Sequence, residues 1–207
     1  MSMTPADFAS DFIFQWEDGQ SRDPNRTHSL NPNDNGNWTG GRQGVGQLVG
    51  SNHGVTPAVL MASRGAPVTE ADMHALTLTE ATGIALAKFY RGPHLDLLDW
   101  NQVTASLFDM AWGAGPVQAI KLMQRIVAVA DDGQLGPYTA NAFHEYLAHH
   151  GLEASANAYG TARNAFYDQI IMARPQNAQF RNGWRNRTAY YLPGSAWWKR
   201  FAGQMAA

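Results

Sequence analysis

The stretch Phe14-Gln15-Trp16-Glu17-Asp18-Gly19 decides how this chain reads, because an apolar helix ends in it and a long loop begins. Just upstream, Thr4-Pro5-Ala6-Asp7 has the marks of a helix start: a capping hydroxyl, proline at the first helical position and an acid in the first turn. Phe8, Phe12, Ile13 and Trp16 then recur on one face at helical spacing, and Gly19 offers a stop. Glu17 therefore falls in the last turn, at the negative end of the helix dipole. Downstream, the segment from Asp18 to Gly54 holds eight glycines, six asparagines and two prolines, so no helical period survives in it. Loops beyond roughly 12–15 residues in compact domains are usually functional or disordered. A carboxylate on a helix terminus, facing a loop of that length, is a site hypothesis. Short extended pieces such as Gly46-Gln47-Leu48-Val49 predict a small hairpin within the loop.

From Thr56 onward the pattern is helical. Thr56-Pro57 starts a helix ending near Gly65, and Thr69-Glu70-Ala71-Asp72 starts another. Further helices are predicted over residues 79–91, 101–112, 116–130, 137–150 and 152–174, followed by two shorter ones around 179–188 and 195–204. The 116–130 segment is apolar almost all round, which predicts a central helix. The expected fold class is mainly α, with a small β-hairpin and loop lobe near the N-terminus.

At 207 residues the chain can bury a substantial core. Its net charge of −2 argues against a nucleic-acid partner, but the distribution is uneven. Between Arg163 and Arg200, seven basic residues (Arg163, Arg174, Arg181, Arg185, Arg187, Lys199 and Arg200) face the single acid Asp168. That basic segment is a candidate for anionic envelope polymers, or else a set of solvated helix faces. With no cysteine there is neither a disulfide framework nor a thiolate metal site. No apolar run approaches the roughly 18 residues of a membrane span, and no export signal is visible, so the expectation is a soluble monomer made in the cytoplasm.

Several motifs fail on spacing. In His144-Glu145-Tyr146-Leu147-Ala148-His149 the histidines are five apart and point roughly 140° away from each other on a helix, so they cannot share a metal. Asn31-Pro32-Asn33-Asp34-Asn35-Gly36 begins like a calcium loop, but its twelfth position is Arg42 where the cation needs a carboxylate. No cofactor and no metal is expected. What survives is a pair of carboxylates in opposed surroundings, Glu17 beside Trp16 and Asp34 in a polar turn. Glycoside cleavage needs such a division between a proton donor and a group that supports water or the oxocarbenium. The same two residues also read as a solvated helix end and an Asx-turn.

Taken in order, Glu17-Asp18-Gly19, Asp23-Pro24-Asn25, the run from Asn33 to Gly41 and Gly50-Ser51-Asn52-His53-Gly54-Val55 resemble the lysozyme-like N-acetylmuramidases of glycoside hydrolase family 108, found among phage endolysins and bacterial secretion activators. Ser106-Leu107-Phe108-Asp109-Met110-Ala111, Asp132-Gly133-Gln134-Leu135-Gly136-Pro137-Tyr138-Thr139 and the run from Phe180 to Arg187 are similar to that family's predicted peptidoglycan-binding part. The resemblance implies a lysozyme-like helical fold, with residues 1–100 as a catalytic lobe and 101–207 as the wall-binding part of one compact unit. It implies cleavage between N-acetylmuramic acid and N-acetylglucosamine in peptidoglycan glycan strands. Glu17 carries over as the acid, and Asp34 and Ser51 as the groups that set up water. A lytic transglycosylase, which uses one Glu and no attacking water, and a non-catalytic wall-binding module are the rival readings.

The sequence departs from the family at telling places. Asp18 stands for the first Gly of Glu-Gly-Gly, an insertion falls around residues 26–33, Ser51 stands for Thr, His53 for Tyr, and Gly113 where an Asn is usual. Trp38 reads either as a sugar-stacking ring or as a lid on the core. His53 is a candidate substrate contact. Asp109 and Trp112 are candidates to border a substrate groove, or else packing and hydrogen-bonding residues. The implied setting is a phage lysin, released to the cell wall and periplasm after synthesis.

Overall fold

The computed structural model describes residues 3–205. The chain divides into two compact units, residues 6–86 and residues 87–207 with the first five. It is mainly helical, as predicted; among the described residues the β structure is confined to isolated bridges.

In the first unit, α1 (Pro5–Phe12) runs directly into a π-helical turn, Ile13–Glu17. Of the apolar face that the spacing predicted, Phe8, Phe12 and Ile13 are buried, with Ala9 beside them, while Trp16 is half-buried. A single turn, α2 (Pro24–Thr27), and a 3-10 turn, Asn35–Asn37, punctuate the loop. Helices α3 (Pro57–Arg64), α4 (Glu70–His74) and α5 (Leu78–Ile84) complete the unit, and α5 packs on the π-turn. Their starts follow sequence rules. Thr69 and Asp72 form a reciprocal capping box on α4, and the Thr77 hydroxyl accepts from Glu80 N–H on α5. Fully buried Leu60 and Met73 join the α1 face in this unit's core, each stabilising the fold by about 1.5–3 kcal/mol.

The predicted hairpin lobe is not present. Leu48 makes one bridge to Trp38, Ser29 pairs with Ser51, and Asn52 with Val55. The reason lies in the glycines: Gly41, Gly44, Gly46 and Gly50 all take positive φ, so the chain turns before a ladder can extend.

In the second unit, α6 (Gln102–Ala114) and α7 (Pro116–Ile126) pack on each other and are joined at Gly115, followed by α8 (Pro137–His150), α9 (Leu152–Ala173), α10 (Arg181–Tyr190) and α11 (Ala196–Met205). The long α9 packs against α6, α7, α8 and α10. The centre is α6, not the predicted 116–130 helix: every residue from Gln102 to Ala111 is buried. Small and apolar residues make up nearly all of α6, whereas Lys121 and Arg125 give α7 a face for solvent. Gly160 lets α9 come close to the C-terminal segment, since a Cβ there would sit 2.5 Å from Leu192 Cδ2. Trp197 and Trp198 are buried anchors, and Trp184 stacks on Tyr167 with ring centroids 4.9 Å apart.

A charged cluster lies inside this unit. Asp109 on α6 is fully buried and accepts from Arg163 Nη2 at 2.8 Å, Arg187 Nε at 3.0 Å and the Tyr191 hydroxyl at 2.9 Å. Arg163 also donates to the Ser106 hydroxyl at 2.9 Å. Burial alone would push the Asp109 carboxyl up, but the Arg187 and Arg163 guanidiniums outweigh it and hold the group below its ordinary value. Burial likewise works against the charge on Arg163, yet Asp109 keeps its affinity for the proton above normal. Two of the seven basic residues of the last third, Arg163 and Arg187, are thus spent internally on Asp109.

Candidate active site

Glu17 is the last residue of the π-turn, whose wider winding closes with Asp18 N–H donating to the Ile13 carbonyl at 3.0 Å. Such i→i+5 turns are rare and are frequently found at functional sites. The Glu17 side chain lies against the backbone of Gly54: a Cβ built on Gly54 would come 2.7 Å from Glu17 Cγ and 3.0 Å from Oε2. Only glycine fits here, both for space and because φ is +72°.

Gly54 belongs to a tight turn. Asn52 and Val55 exchange both backbone hydrogen bonds, at 3.1 and 2.8 Å, and the two residues between them have φ of 51° and 72°. Positive φ at both central positions is the type I′ pattern. The turn is anchored from below, because the buried Asn52 amide donates to the Met73 carbonyl at 3.0 Å and the His74 carbonyl at 3.3 Å. His53, an amino acid that rarely takes this backbone conformation, is held by a side-chain bond. Its Nδ1 lies 2.8 and 2.9 Å from the two carboxylate oxygens of Asp18. The Asp18 side chain is 1% exposed and that of His53 11%, so the pair is largely shut away from water.

Asp18 and His53 thus meet each other, two positions at which the chain departs from the family pattern. They also line a cavity of ≈ 370 Å³ within the first unit, together with Ser21, Arg22, Thr27 and His74. Glu17 is not part of that cavity's lining; it lies against Gly54 of the turn.

Asp34 caps the Asn35–Asn37 turn, its Oδ1 accepting from Gly36 N–H at 2.8 Å. It is exposed, and Oδ2 has no hydrogen-bond partner among the described residues. Gly36 in turn lies close to Thr56, where its Cβ would be 3.3 Å from Thr56 Cγ2. Asn37 ties the same loop to the segment before the turn, since its carbonyl accepts from both Val49 and Gly50 N–H at 3.0 Å. Ser51 is half-buried, pairs through its backbone with Ser29, and has a hydroxyl without a hydrogen bond among the described residues. Glu17, Asp34 and Ser51 therefore attach to one short stretch, residues 49–56, each at a different point along it.

The other candidates fare differently. Trp38 is half-buried, and its indole N–H donates to the Pro32 carbonyl at 2.9 Å, so its polar edge is spent within the loop. His53 has Nδ1 committed to Asp18. Asp109 is corrected outright: it lies fully buried in the second unit with both oxygens taken, and has nothing left to offer a substrate. Trp112, half-buried in that unit, meets Phe89 edge to face at 5.0 Å. Sequence reasoning overlooked Gly54 and Asn52. The signal was present in Asn52-His53-Gly54, an Asn-x-Gly step of the kind that marks a turn.

The glycosyl hydrolase 108 family model matches residues 10–115, which include the whole Glu17 site. The chain belongs to glycosyl hydrolase family 108. A second model, described as a predicted peptidoglycan domain, matches residues 118–189 of this family member. Among solved structures, that of Brucella abortus SagA is similar, at 25% identity and a TM-score of 0.66 over 96% of this chain and 92% of that one. No curated protein matches. Family 108 membership makes the chain a glycoside hydrolase, and the two matches together make it a peptidoglycan hydrolase.

Proposed function

We propose that the protein is an N-acetylmuramidase, cleaving the bond between N-acetylmuramic acid and N-acetylglucosamine with Glu17 as general acid. The observation that carries this reading is the seat of Glu17: a carboxyl at the end of a π-turn, braced on the bare backbone of Gly54, within the segment that the family model matches. A group held this way can deliver a proton in one direction, which general acid catalysis requires.

In the proposed reaction the Glu17 proton passes to the glycosidic oxygen as the bond from that oxygen to the anomeric carbon breaks. Water adds to the anomeric carbon and passes a proton to Asp34, and exchange with solvent restores the proton on Glu17, so the products are a reducing sugar end and a free hydroxyl. Asp34, with Oδ2 unengaged, and the Ser51 hydroxyl are the groups we assign to hold that water. The capping bond of Asp34 does not exclude the role, because a carboxylate has acceptor capacity on both oxygens.

Residues 118–189 bind the wall. We assign contact with anionic envelope polymers to Arg174, Arg181, Arg185, Lys199 and Arg200, the exposed remainder of the basic segment. The setting we favour is a phage or prophage endolysin that reaches the peptidoglycan after synthesis in the cytoplasm. Mass spectrometry of digested, purified peptidoglycan tests the chemistry. Reducing N-acetylmuramic acid ends are expected. Anhydro ends would make the enzyme a lytic transglycosylase, and reducing N-acetylglucosamine ends would move the cut to the other glycosidic bond.

A further inference from the structure

Glu17 is held by two pieces of chain, and one side-chain hydrogen bond joins them. Asp18 is the next residue after Glu17, and His53 is the residue before Gly54, on which Glu17 rests. Neither Asp18 nor His53 is demanded by the turn itself. A buried carboxylate costs stability unless paired, and a non-glycine residue with φ of 51° costs more than glycine would there. Two unfavourable choices, satisfied only by each other across 35 positions of sequence, point to a purpose beyond local folding.

We infer that Asp18 and His53 are a positioning pair for the acid: their bond clamps the His53–Gly54 turn onto the Glu17 side chain and so fixes the direction in which its carboxyl points. Without the bond, Asn52 still anchors the base of the turn through Met73 and His74, but the tip at Gly54 is free to lift. Glu17 then gains rotamers that face away from the glycosidic oxygen. The pair touches no reacting atom; it acts through Gly54. This inference rests on Glu17 being the acid, and the test separates the two.

Removing one partner would leave the other buried and unsatisfied, so the informative variant removes both. In Asp18→Ala with His53→Gly no charge is orphaned, and glycine suits the positive φ. Its thermal midpoint is expected within a few degrees of the parent, with kcat on solubilised peptidoglycan fragments down about tenfold and KM within about twofold. His53→Asn is the rescue: asparagine tolerates positive φ, and its amide can donate to Asp18 from nearly the place of Nδ1. It should keep kcat within about threefold of the parent. Parental kcat in the double variant, a loss carried by KM instead of kcat, or a His53→Asn variant no better than the double one would each overturn the pair's role. Glu17→Gln, measured alongside, keeps the outcomes apart. If it remains active the acid is misassigned, whereas if it is dead while the double variant is fully active only the positioning pair fails.

Discussion

Two carboxylates in this chain are almost sealed from water, and they are used in opposite ways. Asp109 sits mid-helix on α6 and is gripped by two guanidiniums and a phenol from α9, α10 and the turn after it. Every partner is on, or directly after, a helix, so the cluster ties rigid elements together and engages both Asp109 oxygens. Asp18 has one partner, His53, on a two-residue turn, and both flank the groups that hold Glu17. The first arrangement is a structural knot. The second spends a buried charge on aiming a loop. Burial and pairing alone do not distinguish them; what does is the stiffness of the element at the far end of the bond.

The knot at Asp109 is the easier of the two to break. Asp109→Ala leaves Arg163 and Arg187 without their counter-charge, and should cost about 3–5 kcal/mol in denaturant unfolding. The pH dependence follows from the same group. Its folded pKa is lowered, so its contribution is fully present above the unfolded value of about 3.9 and is lost as pH falls through the folded value. The parent's melting temperature should decline below about pH 4, and the Asp109→Ala variant should lack that part of the decline. A variant as stable as the parent would mean that the knot is ornamental.

Next in size is the turn. Gly54→Ala forces a methyl group into the space of Glu17 Cγ at a φ of +72°. We expect a stability loss of about 1–2 kcal/mol from the backbone, and a fall in kcat of tenfold or more from the displaced carboxyl. Thermal melts and initial rates on the same preparation separate the two. If kcat survives while stability falls, the wall at Gly54 is mere packing.

The smallest effect on stability is expected at Asp34. Its replacement by alanine removes one capping bond, worth about 1 kcal/mol. The water-holding role predicts a kcat loss that exceeds this cost, about tenfold or more. A purely structural Asx-turn predicts the stability change alone.

How much of this was legible beforehand depended on how local the cause was. The start of α1 at Thr4-Pro5, the capping box of Thr69 and Asp72, and the Gly136-Pro137 start of α8 are written within a few residues and were readable. Glu17 at a helix end facing the loop was readable too. The π-turn under it was not, because an i→i+5 winding has no hydrophobic period distinct from the helix it extends. The hairpin prediction failed because glycines that suit a hairpin turn here recur too closely for strands to form between them. Arg163 and Arg187 looked like surface charge because their partner lies 54 and 78 positions away. Asp18 and His53 each looked like an unexplained departure from the family. Their explanation is one another, and only the fold shows it.

The central claim is that the carboxyl of Glu17 delivers the proton that breaks the glycan. The most direct measurement is the release of reducing ends from purified peptidoglycan by Glu17→Gln, an amide of the same shape that cannot donate a carboxylic proton. The account predicts an intact fold by circular dichroism, retained sedimentation with peptidoglycan, and a rate lower by about a thousandfold or more. A Glu17→Gln protein that still releases reducing ends at near the parental rate would contradict it.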